Sequence, residues 1–374
     1  MKKKVAFFLS HPIQYFSPLF RQLSLNPDID LMVYYFSDET LKKYTDKQFN
    51  VEVEWDTDLI GGYSYKVIYN NSPLKTIYQH PFGLINFGVI KELKENRYDY
   101  IIVHGWSFIS QWIVFITAII SGIPIILRGE MPLNQEVGKS RFKLFCKKIL
   151  LKPLFKRVHS FLCIGSQNKE FFRSYGVDDA RLYFAPYAVD NSFFGSRYQE
   201  IKQQKYELKS KFKLDKFNKV VLFVGKLIDK KRPLDLVKAF HNLDNLDDCL
   251  VFVGDGVLRR EIEDFIERKN IKNIFITGFI NQTELPELYT LGDLFVLPSG
   301  VGETWGLVVN EAMNYELPVL VSSTVGCSFD LIRNNGVTFD EGNLDDLSAK
   351  LRMLLSDSEL KIKGGGHNNR GDGR

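Results

Sequence analysis

Short, uninterrupted apolar runs recur along the chain and constrain its fold more than any other feature. One set precedes residue 190 and a second follows residue 218, with helix-like segments between the runs. Such runs are typical of parallel β-strands covered by helices on both faces. Two sets therefore predict an α/β protein with two doubly wound, Rossmann-like domains. The predicted strands are residues 5–9, 31–36, 100–103, 124–127, 161–164, 182–184, 220–224, 250–253, 274–277, 294–297 and 319–321.

The length of 374 residues suits two domains. Residues 196–218 are rich in Lys, Gln and Glu and predict a linker with a surface helix. We therefore predict an N-terminal Rossmann-like domain over residues 1–195 and a C-terminal Rossmann-like domain over 219–363. The glycine-dense tail, residues 364–374, is predicted to be disordered. Ligands of doubly wound sheets bind beyond the carboxyl ends of the strands, so we expect the two domains to face each other across a cleft.

Composition and spacing indicate the compartment. The four cysteines are widely spaced and form no pair motif, which favours a reducing cytosol over a disulfide framework. The first apolar run is too short for a secretory signal. The apolar stretch 112–127 is interrupted by Ser121-Gly-Ile-Pro124, which predicts a buried helix and a strand rather than a membrane span. No histidine–carboxylate spacing indicates a metal site. We expect a cytoplasmic protein that needs no metal or other cofactor.

Residues 299–326 carry the strongest chemical signal. Glu303 lies in a glycine-flanked loop after a predicted strand, and Glu311 follows in a helix-like run with seven residues between the two. A strand, a glycine-containing turn and a helix form the usual anion cradle of an α/β sheet, because a helix N-terminus attracts negative charge. Two acceptor carboxylates beside a phosphate site suit a ligand that also carries hydroxyl groups. The pattern predicts a nucleotide-sugar site.

This pattern resembles the E-x7-E motif of glycosyltransferase family 4, whose members are retaining enzymes with the GT-B fold. Residues 221–231 (VLFVGKLIDKK) resemble the family's strand ending in Gly-Arg, with a lysine five positions later. Residues 251–260 resemble its Gly-Asp-Gly turn, and Gly278-Phe279 follows in the family's order. The chain departs from the family at Thr304-Trp-Gly306, where Pro-Phe-Gly is usual.

The resemblance implies that the domain over residues 1–195 binds the acceptor and the domain over 219–363 binds the donor. It also implies roles for the residues of the second half. Lys226 and Lys231 would bind the donor diphosphate, Glu303 the sugar hydroxyls and Glu311 the ribose hydroxyls. A lysine instead of the family's arginine at 226 keeps the charge but loses bidentate geometry. A solvated basic loop and two ordinary helix-surface glutamates are the alternatives, and Trp305 is a donor contact or a core residue. The other expected donor contacts lie at strand and helix ends: Gly225, Gly278, Phe279, Trp305, Gly306 and Leu307.

Candidate site residues of the first half follow its predicted strands. Relatives often carry a histidine at the position of Glu130, which we therefore include among the catalytic candidates. Arg128 and Glu130 either bind the sugar or acceptor or pair with each other. His11 and His104 follow two other predicted strands, and each either contacts a ligand or is structural.

Residues 139–157 contain eight Lys or Arg and no acidic residue, interleaved with Phe, Leu and Ile. Such a basic amphipathic helix predicts peripheral binding to an anionic membrane surface. A core-packing helix with a solvated basic face is the alternative. Nucleic acid is not expected as a partner, because no recognised binding motif accompanies the charge.

Together these features predict a retaining glycosyltransferase of hexosyl or N-acetylhexosaminyl type. It would move a sugar from a nucleotide-sugar to a glycan or lipid-linked acceptor in cell-surface polysaccharide or lipopolysaccharide biosynthesis. Retention, with the acceptor attacking the face that the diphosphate leaves, is implied by the resemblance. A nucleotide-sugar epimerase on the same fold and a catalytically inactive nucleotide-sugar-binding scaffold are the alternatives.

Overall fold

The computed structural model describes residues 2–46, 51–78 and 80–356. Contacts within the chain divide it into two compact units. The first unit comprises Met1–Tyr44 and Val53–Tyr187, and the second comprises Thr45–Glu52 and Ala188–Arg374. The main division thus lies before the predicted boundary at residue 195.

The first unit is built on a parallel sheet with the strand order β5-β2-β1-β6-β7-β8-β9. A separate two-stranded sheet pairs β3 with β4. The elements up to residue 187 are β1 (Lys3–Leu9), α1 (Ser17–Leu25), β2 (Ile29–Tyr35), β3 (Tyr44–Asp46), β4 (Val51–Val53), β5 (Tyr65–Val67), α2 (Gly88–Glu95), β6 (Tyr100–His104), α3 (Ile109–Ile120), β7 (Ile125–Gly129), α4 (Arg141–Arg157), β8 (Ser160–Cys163), α5 (Ser166–Ser174) and β9 (Leu182–Phe184).

The second unit is built on a parallel sheet with the order β12-β11-β10-β13-β14-β15. Its elements are α6 (Asn191–Ile201), α7 (Lys205–Lys211), β10 (Val220–Val224), α8 (Pro233–His241), β11 (Cys249–Val253), α9 (Arg259–Arg268), β12 (Ile274–Ile276), α10 (Leu285–Leu291), β13 (Leu294–Leu297), α11 (Leu307–Met313), β14 (Val319–Ser322), α12 (Ser328–Leu331), β15 (Gly336–Phe339) and α13 (Leu344–Ser356).

Each sheet supplies one side of its unit's apolar core. In the first unit Phe8 and Leu127 of the strands pack in one cluster with Phe115 and Phe155 of the helices. In the second unit the corresponding cluster combines strand residues such as Phe223 with helix residues such as Leu351 from α13. Burial of each such side chain contributes about 1.5–3 kcal/mol to the free energy of unfolding. The cores therefore fix the strand ends, where the candidate site residues lie.

The prediction of two Rossmann-like parallel sheets is confirmed, and each predicted strand is present with ends shifted by two residues at most. The helix and strand predicted within residues 112–127 are α3 and β7. Strands β3, β4, β5 and β15 were not predicted. The first three have only three residues each, and β15 begins with a glycine and has two of its four positions incompletely buried. The predicted disordered tail, residues 364–374, lies outside the described residues.

The segment predicted to be a linker belongs to the second unit as packed helices. Phe194 of α6 is fully buried and contacts the ring of Tyr289. The ammonium group of Lys205 donates a 2.7 Å hydrogen bond to the carbonyl of Gly292. The polar composition of residues 196–218 describes the outer faces of these helices, while sparse apolar residues anchor their inner faces.

Gly195 provides a test of this packing. It lies inside α6, and a Cβ atom there would meet no heavy atom nearer than 4.0 Å. Because alanine restricts the unfolded chain more than glycine does, Gly195→Ala should stabilise the second unit by about 0.5–1 kcal/mol in urea unfolding. Gly336→Ala is the contrasting variant, since its Cβ would lie 2.1 Å from the carbonyl oxygen of Val319 and should destabilise the unit. A destabilised Gly195→Ala would contradict the assignment of α6.

Candidate active site

The candidate donor site lies at the carboxyl ends of β10 and β13, where two loops meet. The amide of Gly300 donates to the carbonyl of Lys230 at 2.8 Å. The ammonium group of Lys230 in turn donates to the carbonyl of Gly302 at 3.3 Å. These bonds join the loop after β10 to the loop that carries Glu303.

An ion pair between Lys231 and Glu303 occupies the junction of these loops. Both side chains are nearly buried, with 12% and 11% of their surface exposed. Burial raises the pKa of Glu303, but the charges of Lys231 and Lys230 outweigh it and hold that pKa below its ordinary value. Glu303 is therefore a charged carboxylate at neutral pH, and it holds the Lys231 ammonium at a defined position.

The backbone around Glu303 is fixed from the other side by residues 326 and 327. Gly326 donates its amide to the carbonyl of Glu303 at 3.1 Å, and Cys327 donates to the carbonyl of Trp305 at 3.0 Å. A Cβ atom on Gly326 would lie 1.8 Å from the Thr304 carbonyl oxygen, so this approach requires glycine. The loop is therefore rigid before any ligand binds.

Trp305 is a core residue by its side chain. It is 2% exposed, and its indole N–H donates to the Oδ1 atom of Asn310 at 2.9 Å. Only its backbone is left for the predicted donor contact. Gly306 has a φ of 93° and immediately precedes α11, which begins at Leu307. The left-handed turn at Gly306 directs the chain from the Glu303 loop into the helix that carries Glu311.

Glu311 is half-buried in α11 and accepts a 2.7 Å hydrogen bond from the hydroxyl of Tyr289. Burial raises the pKa of Glu311 to about 7, although the Tyr289 hydrogen bond and the charge of Lys231 lower it. Lys231 thus acts electrostatically on both glutamates. The contact of Tyr289 with Glu311 was not predicted from the sequence, because it joins two helices that are distant along the chain.

The other predicted donor residues lie at the same edge of the sheet. A Cβ atom on Gly225 would lie 3.8 Å from the Cε atom of Lys231, and Lys226 follows Gly225 directly. Gly278 forms an isolated bridge with Gly254, and half-buried Phe279 follows it. The structure therefore brings Glu303, Lys231 and Glu311 into one electrostatic cluster and places the remaining predicted residues beside it.

The candidate residues of the first unit form a second cluster, at the carboxyl ends of β1, β6 and β7. The Nε2 atom of His104 lies 2.9 Å from the Oε1 atom of Glu130. Burial first, and then the nearby His104, lower the pKa of His11 to about 4. His11 is therefore neutral at physiological pH. Tyr15, which we did not predict, lies close to Glu130; burial first and then the charge of Glu130 raise its pKa.

Arg128 also makes contacts that were not predicted, with residues 185 and 187. Its guanidinium donates to the carbonyl of Ala185 at 3.0 Å and lies 4.7 Å from the ring centre of Tyr187. With 4% of its surface exposed, Arg128 offers little area to a ligand. Glu130 contacts His104, a pair that was not predicted, and its charge also acts on Arg128, where it raises a pKa that burial lowers.

The described residues contain no group of three or more His, Cys, Asp or Glu side chains placed to hold a metal ion. In the same part of the chain, every helix is too short or too polar to cross a bilayer.

Comparison with known proteins bears on both units. Residues 204–363, which contain all the donor-site residues named above, match the family model described as glycosyl transferases group 1. The chain is 35% identical over 148 residues to sulfoquinovosyl transferase SQD2 of Arabidopsis thaliana, covering 38% of this chain and 28% of that protein. It is 34% identical over 143 residues to the uncharacterized glycosyltransferase MJ1607 of Methanocaldococcus jannaschii, covering 37% of this chain and 36% of that protein. The matches to these relatives thus span about a third of their length.

A longer match is with GalNAc-alpha-(1->4)-GalNAc-alpha-(1->3)-diNAcBac-PP-undecaprenol alpha-1,4-N-acetyl-D-galactosaminyltransferase of Campylobacter jejuni. The two chains are 25% identical over 281 residues, which cover 74% of this chain and 70% of that protein. The similarity therefore extends into the first unit.

Solved structures resemble nearly the whole chain. Anabaena Alr3699/HepE, in complex with UDP and glucose, superposes with a TM-score of 0.69 at 17% identity, covering 97% of this chain and 92% of that one. WaaG, a glycosyltransferase involved in lipopolysaccharide biosynthesis, gives a TM-score of 0.67 at 17% identity, covering 96% and 93%. At this identity the likeness shows the fold alone. The fold is that of the GT-B glycosyltransferases, with two Rossmann-like parallel-sheet domains.

The raised pKa of Glu311 predicts a pH-dependent stability. The folded chain holds the Glu311 proton up to a pH of about 7, whereas the ordinary value is 4.5. The stability contributed by the neutral carboxyl is therefore fully present below pH 4.5 and is lost as the pH rises through 7. The free energy of unfolding of wild type should therefore fall by at most about 3 kcal/mol as the pH rises over this range, and Glu311→Gln should remove this fall.

The measurement is the free energy of unfolding of wild type and variant between pH 4 and pH 8 in urea. The exposed Glu316, in the same segment, supplies the matched control Glu316→Gln. A difference between Glu311→Gln and wild type that does not vary with pH would contradict the burial of this carboxyl.

Proposed function

We propose that this protein is a retaining glycosyltransferase that moves a sugar from a nucleotide-sugar donor to a glycan or lipid-linked acceptor. The observation that carries the proposal is the position of Lys231, paired with Glu303 and acting electrostatically on Glu311. All three residues lie in the segment that matches glycosyl transferases group 1.

Breaking the bond between a sugar and a diphosphate leaves negative charge on the departing phosphate. A cation held in place before the reaction stabilises this charge, and one such group lowers the activation barrier by about 3 kcal/mol. Glu303 holds the Lys231 ammonium. Lys226 lies at the same strand end, two residues after β10. In this proposal the two lysines bind the diphosphate, Glu303 accepts hydrogen bonds from the sugar and Glu311 from the ribose. The backbone at Trp305, Gly306 and Leu307 faces the same ligand.

The electrostatics of Glu303 support a mechanism without an enzymic nucleophile. Its lowered pKa and its pairing with Lys231 reduce the basicity of the carboxylate, which makes it a weak nucleophile. The acceptor hydroxyl then attacks the face that the diphosphate leaves, and the leaving phosphate takes the proton. No metal or cofactor takes part in this scheme.

We assign the acceptor to the first unit, with Glu130 as the residue that accepts a hydrogen bond from its hydroxyl group. The pairing with His104 orients the Glu130 carboxylate, and neutral His11 and Tyr15 add polar groups beside it. Arg128 supports this cluster by holding residues 185–187.

The relatives favour a role in cell-surface polysaccharide or lipopolysaccharide synthesis. One acts, by its name, on an undecaprenol-linked acceptor in Campylobacter jejuni, and another is a putative teichuronic acid biosynthesis glycosyltransferase of Bacillus subtilis. We therefore propose a hexose or N-acetylhexosamine as the transferred sugar.

Helix α4 has the surface expected of a membrane-bound helix. Leu151, Leu154 and Phe155 are buried, while a second apolar stripe is exposed between lysines and arginines. The exposed stripe comprises Phe142, Phe145, Ile149 and Leu150. Apolar side chains inserted at the lipid interface and cations near anionic headgroups each favour binding. We propose that the protein is cytoplasmic and binds the inner face of the cell membrane peripherally through residues 139–157.

Transfer activity is tested by incubating the full chain with labelled nucleotide-sugars and a bacterial lipid extract. Wild type should transfer label to lipid or glycan, and Glu303→Gln should lower kcat/KM about 100-fold because Lys231 loses its anchor. Glu316→Gln is the matched control and should stay within about twofold.

The same experiment distinguishes the rival functions. Conversion of the labelled donor to a second nucleotide-sugar without acceptor would identify an epimerase. Donor binding without either reaction would identify a non-catalytic binding protein. Both results would overturn the transferase proposal.

Membrane binding is tested by co-sedimentation with vesicles. Wild type should bind vesicles containing about 30% anionic lipid and should bind zwitterionic vesicles about tenfold more weakly. Phe142→Ser/Ile149→Ser should weaken binding to the anionic vesicles about tenfold, because two inserted side chains are removed. Leu246→Ser, at an exposed leucine of the second unit, is the control. Equal binding by wild type and the α4 variant would exclude this surface.

A further inference from the structure

Arg232 adopts a backbone conformation that its sequence position disfavours. Its φ is 50°, in the left-handed region, and Pro233 follows it. A non-glycine residue in this region costs about 1–2 kcal/mol, and a following proline restricts the residue further towards extended conformations. Glycine would take this turn without the cost. An arginine at this position therefore indicates that its side chain makes contacts that offset this cost.

The guanidinium of Arg232 joins two separate segments of the second unit. Its Nε atom donates to Asp235 at 2.6 Å, in the first turn of α8. Its Nη1 atom donates to Glu341 at 2.8 Å, in the loop after β15. Only 32% of the arginine side chain is exposed, so solvent screens these contacts less than a surface pair.

Two glycines leave the space that this ion pair occupies. A Cβ atom on Gly342 would lie 2.9 Å from the Nη2 atom of Arg232. A Cβ atom on Gly300 would lie 2.5 Å from the Oε1 atom of Glu341 and 3.3 Å from the Cδ atom of Arg232. Gly300 belongs to the loop that carries Glu303, so the Arg232–Glu341 pair packs directly against that loop.

Lys231 and Arg232 are consecutive, and their side chains have different partners. Lys231 pairs with Glu303, while Arg232 pairs with Asp235 and Glu341. We propose that Arg232 is a positioning residue that, through Glu341, holds the loop after β10 so that the Lys231 ammonium stays at Glu303. This role deepens the proposed function and rests on it, because Lys231 is the cation assigned to the donor diphosphate.

A misplaced cation affects the chemical step more than substrate binding. A displacement of about 1 Å in a catalytic group can lower the rate about 100-fold. The displaced Lys231 ammonium keeps its charge and, with Lys226 and the backbone of the helix turn, still attracts the donor in the ground state. Loss of Arg232 should therefore lower kcat while leaving the donor KM almost unchanged.

The central variant is Arg232→Gly, because glycine keeps the left-handed turn and removes its strain. We expect kcat to fall about tenfold, the donor KM to change less than about twofold and Tm to change little. Glu341→Gln should give a similar loss, and the double variant should lose no more than either single variant, because the two residues act through one contact. Arg232→Lys should recover part of kcat.

A kcat within twofold of wild type in Arg232→Gly would overturn the positioning role, as would additive losses in the double variant. A wild type without transfer activity would instead refute the proposed function. The positioning role is then decided by a crystal structure of Arg232→Gly, which requires no activity. In that structure we expect the Lys231 ammonium to have moved away from its wild-type position at Glu303. An unchanged ion pair would overturn the inference.

Discussion

The ion pair between Lys231 and Glu303 is the interaction on which the rest of the second unit's site depends. Both groups are nearly buried, and withdrawing two charges from water is costly unless each has its partner in good geometry. The surrounding contacts supply that geometry. Lys230 accepts a hydrogen bond from Gly300 and donates one to Gly302, which joins the two loops. Gly326 approaches the backbone of Thr304 so closely that only glycine fits.

This arrangement gives the two glutamates different properties. Glu303 is held ionised by Lys231 and Lys230, whereas burial keeps Glu311 protonated up to a pH of about 7. Glu303 therefore stays ionised and holds the Lys231 ammonium, whereas Glu311 gains or loses its proton near neutral pH. Two acidic residues of one short motif thus acquire different protonation behaviour from their surroundings, the first from a facing ammonium and the second from burial.

The sequence was sufficient for features that depend on local pattern. The strands at 182–184, 220–224 and 294–297 have the predicted bounds, because continuous apolar runs between helical segments have few other solutions. The loop and helix carrying Glu303 and Glu311 followed from glycine placement and spacing. Features that depend on distant partners were missed: the contact of Tyr289 with Glu311, and the pairing of Arg232 with Glu341, 109 residues away. The contacts of Arg128 with residues 185–187 were missed for the same reason, since that segment lies far along the chain.

The most direct test of the central claim is the affinity of a nucleoside diphosphate for wild type and for Lys231→Met, measured by calorimetric titration. Lys231→Met leaves Glu303 buried without its cation, so Lys231→Met/Glu303→Gln, which removes both charges, is titrated beside it. If Lys231 binds the diphosphate, both variants should bind at least about tenfold more weakly than wild type. Wild-type affinity in the double variant would contradict the claim that this lysine forms the donor site.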